Sequence, residues 1–179
     1  MRLSRIGWAF VVVAAGCAGD PAATPPSLGE TGELAAGLRG AFFTTLADGS
    51  PVDAASHRAK DSVYLAGGPR RPQDPALPEG QFVFEVTDPS GQTVLSTDPV
   101  SCRGFHVDAD GLISGVNDLP CGHPVGEDAV RGGLTVRLMP YADTPDPGGE
   151  YKVWVTSAAA YAATGRFLPR DSNTDSFAI

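Results

Sequence analysis

The stretch Leu77-Pro-Glu-Gly-Gln-Phe-Val-Phe-Glu-Val-Thr-Asp-Pro-Ser-Gly91 decides how the rest of the chain is read. Pro78 and Gly80 punctuate its start and Asp88-Pro-Ser-Gly91 its end, so Gln81 to Thr87 form one bounded run. Within it Phe82, Phe84 and Val86 fall on one face, and Val83, Glu85 and Thr87 on the other. That period of two, carried by aromatic and β-branched residues, predicts a strand. The turn at Asp88 to Gly91 predicts a hairpin return along Thr93-Val-Leu-Ser-Thr97.

Working outward, the same grammar recurs. Gly40 to Leu46 runs into Asp48-Gly49, Ser62 to Ala66 into Gly67-Gly68-Pro69, and Gly104 to Val107 into Asp108-Ala-Asp-Gly111. Leu134 to Met139 and Glu150 to Thr156 alternate and are separated by a polar loop, and Ser176 to Ile179 reads as a last strand. Ser157 to Thr164 is Ala-rich and the one helix-compatible stretch, expected as an exposed connection. The chain holds 22 Gly and 16 Pro in 179 residues. This is turn-rich, short of the roughly 25–30% that marks low-complexity chains, and without a collagen period. The expectation is all-β: a single antiparallel β-sandwich of seven or eight strands over residues 38–179.

The phrase at Leu77 to Gly91 resembles the strand that opens with Leu-Pro and closes with Val-Thr-Asp in Cna protein B-type and SdrD B-like domains. With Leu138 to Val155 and Thr174-Asp-Ser-Phe177, it is also similar to lipoproteins of myxobacteria and their relatives. The resemblance implies a prealbumin-like sandwich on a bacterial surface, and a surface module in place of an enzyme. Some Cna protein B-type domains carry an internal Lys–Asn or Lys–Asp isopeptide bond promoted by a buried acid. The groups to test here are Lys60 and Lys152, Glu85, and Asn173 or Asp175, and solvated lysines are the plainer reading.

The N-terminus reads as an address. Arg2 and Arg5 precede the uncharged run Ile6 to Ala15, too short to span a bilayer, and Gly16-Cys17 follows. Ala14-Ala15-Gly16-Cys17 resembles the lipobox of bacterial lipoproteins, with Ala14 where Leu is usual. That resemblance implies a lipoprotein signal peptide over 1–16 and acylation of Cys17. Two or more acyl chains anchor a protein without a spanning helix. Residues 17–37 then read as a flexible tether, rich in Ala, Gly, Pro and Thr and free of aromatics. The expected place is the cell envelope, at the outer membrane, with the membrane contacted through the N-terminal lipid.

Charge and cysteines narrow the partners. The net charge of −8 becomes −10 once Arg2 and Arg5 leave with the signal, which argues against nucleic acid as a partner. With Cys17 assigned to lipid, Cys102 and Cys121 remain in a compartment that favours disulfides. Their pairing is the expectation, with free thiols or metal ligation alongside His123 as alternatives. Zinc would require Cys102, His106, Cys121 and His123 in an unusual spacing. Asp108 and Asp110 form a weak calcium candidate, plainer as a polar turn. No Gly-x-Ser-x-Gly elbow and no phosphate-binding glycine loop occurs, and no cofactor is expected. The functional reading is a lipid-anchored structural or adhesive module without catalysis. The alternative is a module binding a surface glycan or protein through loops at the sandwich end, with Trp154, Tyr141 and Tyr161 as candidate contacts.

Overall fold

The computed structural model describes residues 38–71, 73–117 and 121–179, so the signal peptide, Cys17 and the tether lie outside the described residues. Nine strands form: β1 Phe42–Thr45, β2 Tyr64–Gly67, β3 Gly80–Thr87, β4 Gly104–Val107, β5 Ile113–Val116, β6 Val125–Glu127, β7 Leu134–Arg137, β8 Glu150–Ser157 and β9 Ser172–Ala178. One helix, α1, covers Ala158–Thr164. The strands pair into a four-stranded sheet in the order β1-β2-β7-β6 and a five-stranded sheet in the order β5-β4-β3-β8-β9. All of these pairings are antiparallel. The fold is predominantly β, a sandwich of about nine strands.

The decisive stretch sits at its centre. β3 pairs with β4 over Gly80 to Val83 and with β8 over Phe82 to Thr87. Phe82, Phe84 and Val86 all join the core, where Phe82 stacks on Phe105 at 5.7 Å. Val153, Val155 and Tyr151 of β8, Leu65 and Val136 of the other sheet, and Leu138 just past β7 pack in the same core. Burying each such side chain is worth about 1.5–3 kcal/mol, so this alternation, more than local propensity, holds the strands in register.

The hairpin partner is corrected. Thr93 to Thr97 is not a strand; it touches β3 through the single bridge Thr87↔Val94 and then turns to bridge Ser96 with Tyr141. Both edges of β3 are already taken for most of its length. β4 stops short of Val86, and only there does the segment find room, with Leu95 N donating to Val86 O at 2.8 Å. Ser96 Oγ also accepts from Val86 N.

The strand count rises from seven or eight to nine because β5 and β6 are short and contain Gly115 and Gly126, which hide the alternation. The last strand begins at Ser172 instead of Ser176. Its first five residues, Ser-Asn-Thr-Asp-Ser, are polar on both faces yet pair with β8 in unbroken register. α1 forms where expected and buries no residue; Ser157 Oγ accepts from Ala160 N at its start and Gly165 ends it.

Candidate functional site

Cys102 and Cys121 form a disulfide, with their Cα atoms 5.0 Å apart. The bond ties the 3-10 turn that leads into β4 to the segment that leads into β6. Each cysteine has a charged or titratable neighbour that turns inward. Arg103 follows Cys102 and is 5% exposed, and His123 lies two residues after Cys121, also 5% exposed.

These side chains build a network across the two sheets. His123 Nδ1 is 2.6 Å from Arg137 O at the end of β7, and His123 Nε2 is 2.9 Å from Asp98 Oδ2. Both neighbours offer acceptor oxygens, so each ring nitrogen has a polar partner within hydrogen-bonding distance. The ring's edge also meets Phe84, centroid to centroid 4.9 Å. Arg103 Nη1 donates to Phe84 O at 3.1 Å and lies 3.5 Å from Glu85 Oε2, while Arg103 Nε is 3.7 Å from Asp98 Oδ1. Burial pushes the Glu85 carboxyl above its ordinary value, and the Arg103 charge opposes that shift without cancelling it. Arg103 and the His123 imidazole thus face Asp98 and Glu85, linking the end of β7 to the middle of β3.

Chemically this is a cross-tie. Every member is spent on another member or on a backbone carbonyl, except Asp98 Oδ1 and Arg103 Nε, which face each other beyond hydrogen-bonding geometry. The expected pairing of Cys102 with Cys121 is the one formed, against the alternative of metal ligation by Cys121 with His123. That role is excluded for the cysteine by the disulfide, and the imidazole is turned to Asp98 and Arg137 instead. Asp98 and Arg103 carried no sequence signal: each lies in a turn with no periodicity, and only the fold brings them together.

The predicted aromatic contacts are not brought together. Trp154 lies on the outer face of the five-stranded sheet, half-buried, with Nε1 donating to Thr87 Oγ1 at 3.1 Å. Its ring rests on Gly91, where a Cβ would come within 2.7 Å of Cζ2 and where the backbone sits at φ +76°. Tyr141 is 4% exposed and packs in the core edge-on to Tyr151 and Phe177. Tyr161 stands on α1 beside Phe167. Of the three, Tyr141 offers no open ring face for a sugar.

Asp108 closes its own turn, with Oδ1 accepting from Asp110 N and Leu112 N. No group of three or more His, Cys, Asp or Glu that could hold a metal occurs among the described residues. The isopeptide groups lie in separate networks. Lys60 Nζ donates to Tyr141 O and Asp143, Lys152 Nζ lies over the Trp154 ring, Asn173 donates to Gly40 O, and Asp175 accepts from Thr44.

Several concave regions mark the described surface, among them two with apolar walls. One of about 450 Å³ lies at the sandwich end between Leu38, Phe82 and Ala158 to Ala160, with Arg170 and Asp171 at its rim. The other, about 360 Å³, has Val52, Leu112 and Val130 as walls with Arg70, Arg71 and Arg131 among them. Beside the second, the guanidinium of Arg131 stacks 4.2 Å from the centroid of the buried Phe43 ring. Comparison with protein-family models, with curated proteins and with solved structures finds no match to this chain.

Proposed function

We propose that the chain is an exported, lipid-anchored protein of the cell envelope that displays its β-sandwich as a structural or adhesive, non-catalytic module. The observation that carries the reading is the pairing of Cys102 with Cys121. A disulfide inside a single sandwich belongs to a non-cytosolic compartment. With two of three cysteines paired, Cys17 stands alone after Ala14-Ala15-Gly16, where a lipid anchor would attach. The charged groups nearest the disulfide support a mechanical role, since they are consumed in joining the sheets. Surface protein or polysaccharide partners would meet the module on its loops, and the membrane through the lipid.

The test is metabolic labelling with a palmitate analogue in the native host, followed by fractionation, for wild type and Cys17→Ala. Label and membrane recovery are expected in the wild type, and both should be lost in the variant. Equal membrane association of the two proteins would refute the anchor.

A further inference from the structure

β1 and β2 are adjacent antiparallel strands, yet residues 46–63 intervene between them. Neighbouring strands ordinarily need only a few residues, and longer connections usually have work of their own. Here the excursion runs along the open side of the sandwich, between edge strand β1 of one sheet and edge strand β9 of the other. It pairs with both. Ala54 N donates to Thr44 O at 2.8 Å, and Thr44 Oγ1 donates back to Ala54 O. Three residues later His57 N donates to Ala178 O at 2.8 Å, Ala178 N donates to Ala55 O at 3.0 Å, and Ser56 bridges Ala178 in parallel. The segment covers backbone groups that would otherwise stand as bare sheet edge.

His57 holds this segment in an unusual way. The residue is 6% exposed, its ring is edge-on to Phe177 with centroids 6.0 Å apart, and neither Nδ1 nor Nε2 has a hydrogen-bond partner among the described residues. The charged groups around it are engaged elsewhere or exposed. On its own segment Asp53 pairs with Arg70, Lys60 pairs with Asp143, and Arg58 and Asp61 are exposed. On β9, Asp175 is held by Thr44 and Arg70; on β8, Glu150 is exposed and pairs through its backbone with Ala178. The Tyr141 and Tyr151 hydroxyls point to Lys60 O and Thr144 N. No carboxylate is paired with the imidazole, so a cation there would be buried with only the nearby Ala54 and Ser62 carbonyls to meet it.

We propose that residues 51–62 are a strap latched by neutral His57, and that protonation of His57 releases the strap and uncovers the free edge of β9. Burial holds the imidazole below its ordinary value of 6.5, and the nearby Ala54 and Ser62 carbonyls offset only part of that. In the released strap the ring is in water and titrates normally, so the open form binds the proton more tightly. The sign follows: below pH 6.5 the open-to-closed ratio rises by roughly tenfold per pH unit until the buried ring itself titrates, and above it the strap is indifferent to pH.

Hydrogen exchange of the full-length protein, corrected for intrinsic rates, tests this at the His57 and Ala178 amides between pH 7.5 and 5. Protection at both amides is expected to fall on acidification while β3 and β8 amides keep theirs. His57→Phe retains the ring against Phe177 and cannot charge, so its protection should stay flat. An equal fall in the variant, a flat wild type, or a global loss of protection would each overturn the proposal. Should His57→Phe fail to fold, NMR titration of the wild-type imidazole decides. Proton uptake by His57 must coincide with loss of strap protection, and separation of the two events refutes the latch.

Discussion

On the β1/β9 side of the sandwich, closure runs from side chain to backbone. Asp175 accepts from Thr44 N at 2.8 Å and from Thr44 Oγ1, Asn173 donates to Gly40 O, and residues 54–57 add one backbone hydrogen bond to β1 and two to β9. Between β3 and β7 the sheets are joined instead by the network of Glu85, Arg103, Asp98 and His123, beside the Cys102–Cys121 bond. The difference lies in how each could open. Breaking the strap costs a few hydrogen bonds, each worth about 1 kcal/mol net, and it uncovers groups that water can satisfy. Breaking the network strands charges inside the protein, and the disulfide keeps the neighbouring segments from moving apart. One side is therefore built to fray first and the other to hold.

The sharpest way to break this contrast is to remove the acid at the centre of the network. Asp98→Ala leaves Arg103 and His123 facing each other without their shared carboxylate. A loss of about 3–5 kcal/mol is expected in urea unfolding, the scale for removing one partner of a buried pair. A loss below about 1 kcal/mol would show that water already satisfies the network, and the contrast between the two sides would collapse.

Next in size is the disulfide. Replacing both cysteines, Cys102→Ser with Cys121→Ser, opens a loop of sequence separation 19, which the chain-entropy model values at about 3 kcal/mol. Hydrogen exchange should place the added opening at β4 and β5, with the strap amides unchanged. Fraying at the strap in that variant would mean that the two closures form one cooperative unit.

The two sides were also unequally legible in the sequence. Phe82, Phe84 and Val86 announced β3 and the core face, because a strand buried on one face writes its period into apolar residues. The cysteine pair was legible from compartment and count. β9 was half-missed because its core-facing positions above Phe177 are Asn173 and Asp175, chosen to reach across to β1 and carrying no hydrophobic signal. The network was invisible for a related reason: Asp98, Arg103 and His123 sit in turns, and their meeting depends on long-range pairing that no local pattern records. Thr93 to Thr97 failed in the opposite direction, a good local strand pattern overridden because β4 and β8 already occupy β3.

The smallest expected effect separates the two sides by pH. Asp175 on the strap side and Glu85 in the network are both pushed above their ordinary values by burial. For Asp175 the Thr44 hydrogen bonds and the Arg70 charge pull the other way without prevailing. A carboxyl with a raised value in the folded state binds its proton more tightly there than in the unfolded chain. Each group therefore makes the fold less stable as pH rises, from 3.8 for Asp175 or 4.5 for Glu85 up to its raised value, and has no further effect above it. Asp175→Asn keeps an acceptor for Thr44 and removes the titration, so near neutral pH its stability should lie within about 1 kcal/mol of wild type. Below that, the urea midpoint of the variant should change less with pH than the wild type's, by the share that Asp175 holds. Glu85 holds a share of the slope remaining, which Glu85→Gln in the same background should remove, while Asp48 and Asp88, held below their ordinary value by turn hydrogen bonds, contribute slope of the opposite sign. A pH slope untouched by Asp175→Asn would mean that this carboxyl binds its proton alike in the folded and unfolded chain, the Thr44 hydrogen bonds and the Arg70 charge fully offsetting its burial.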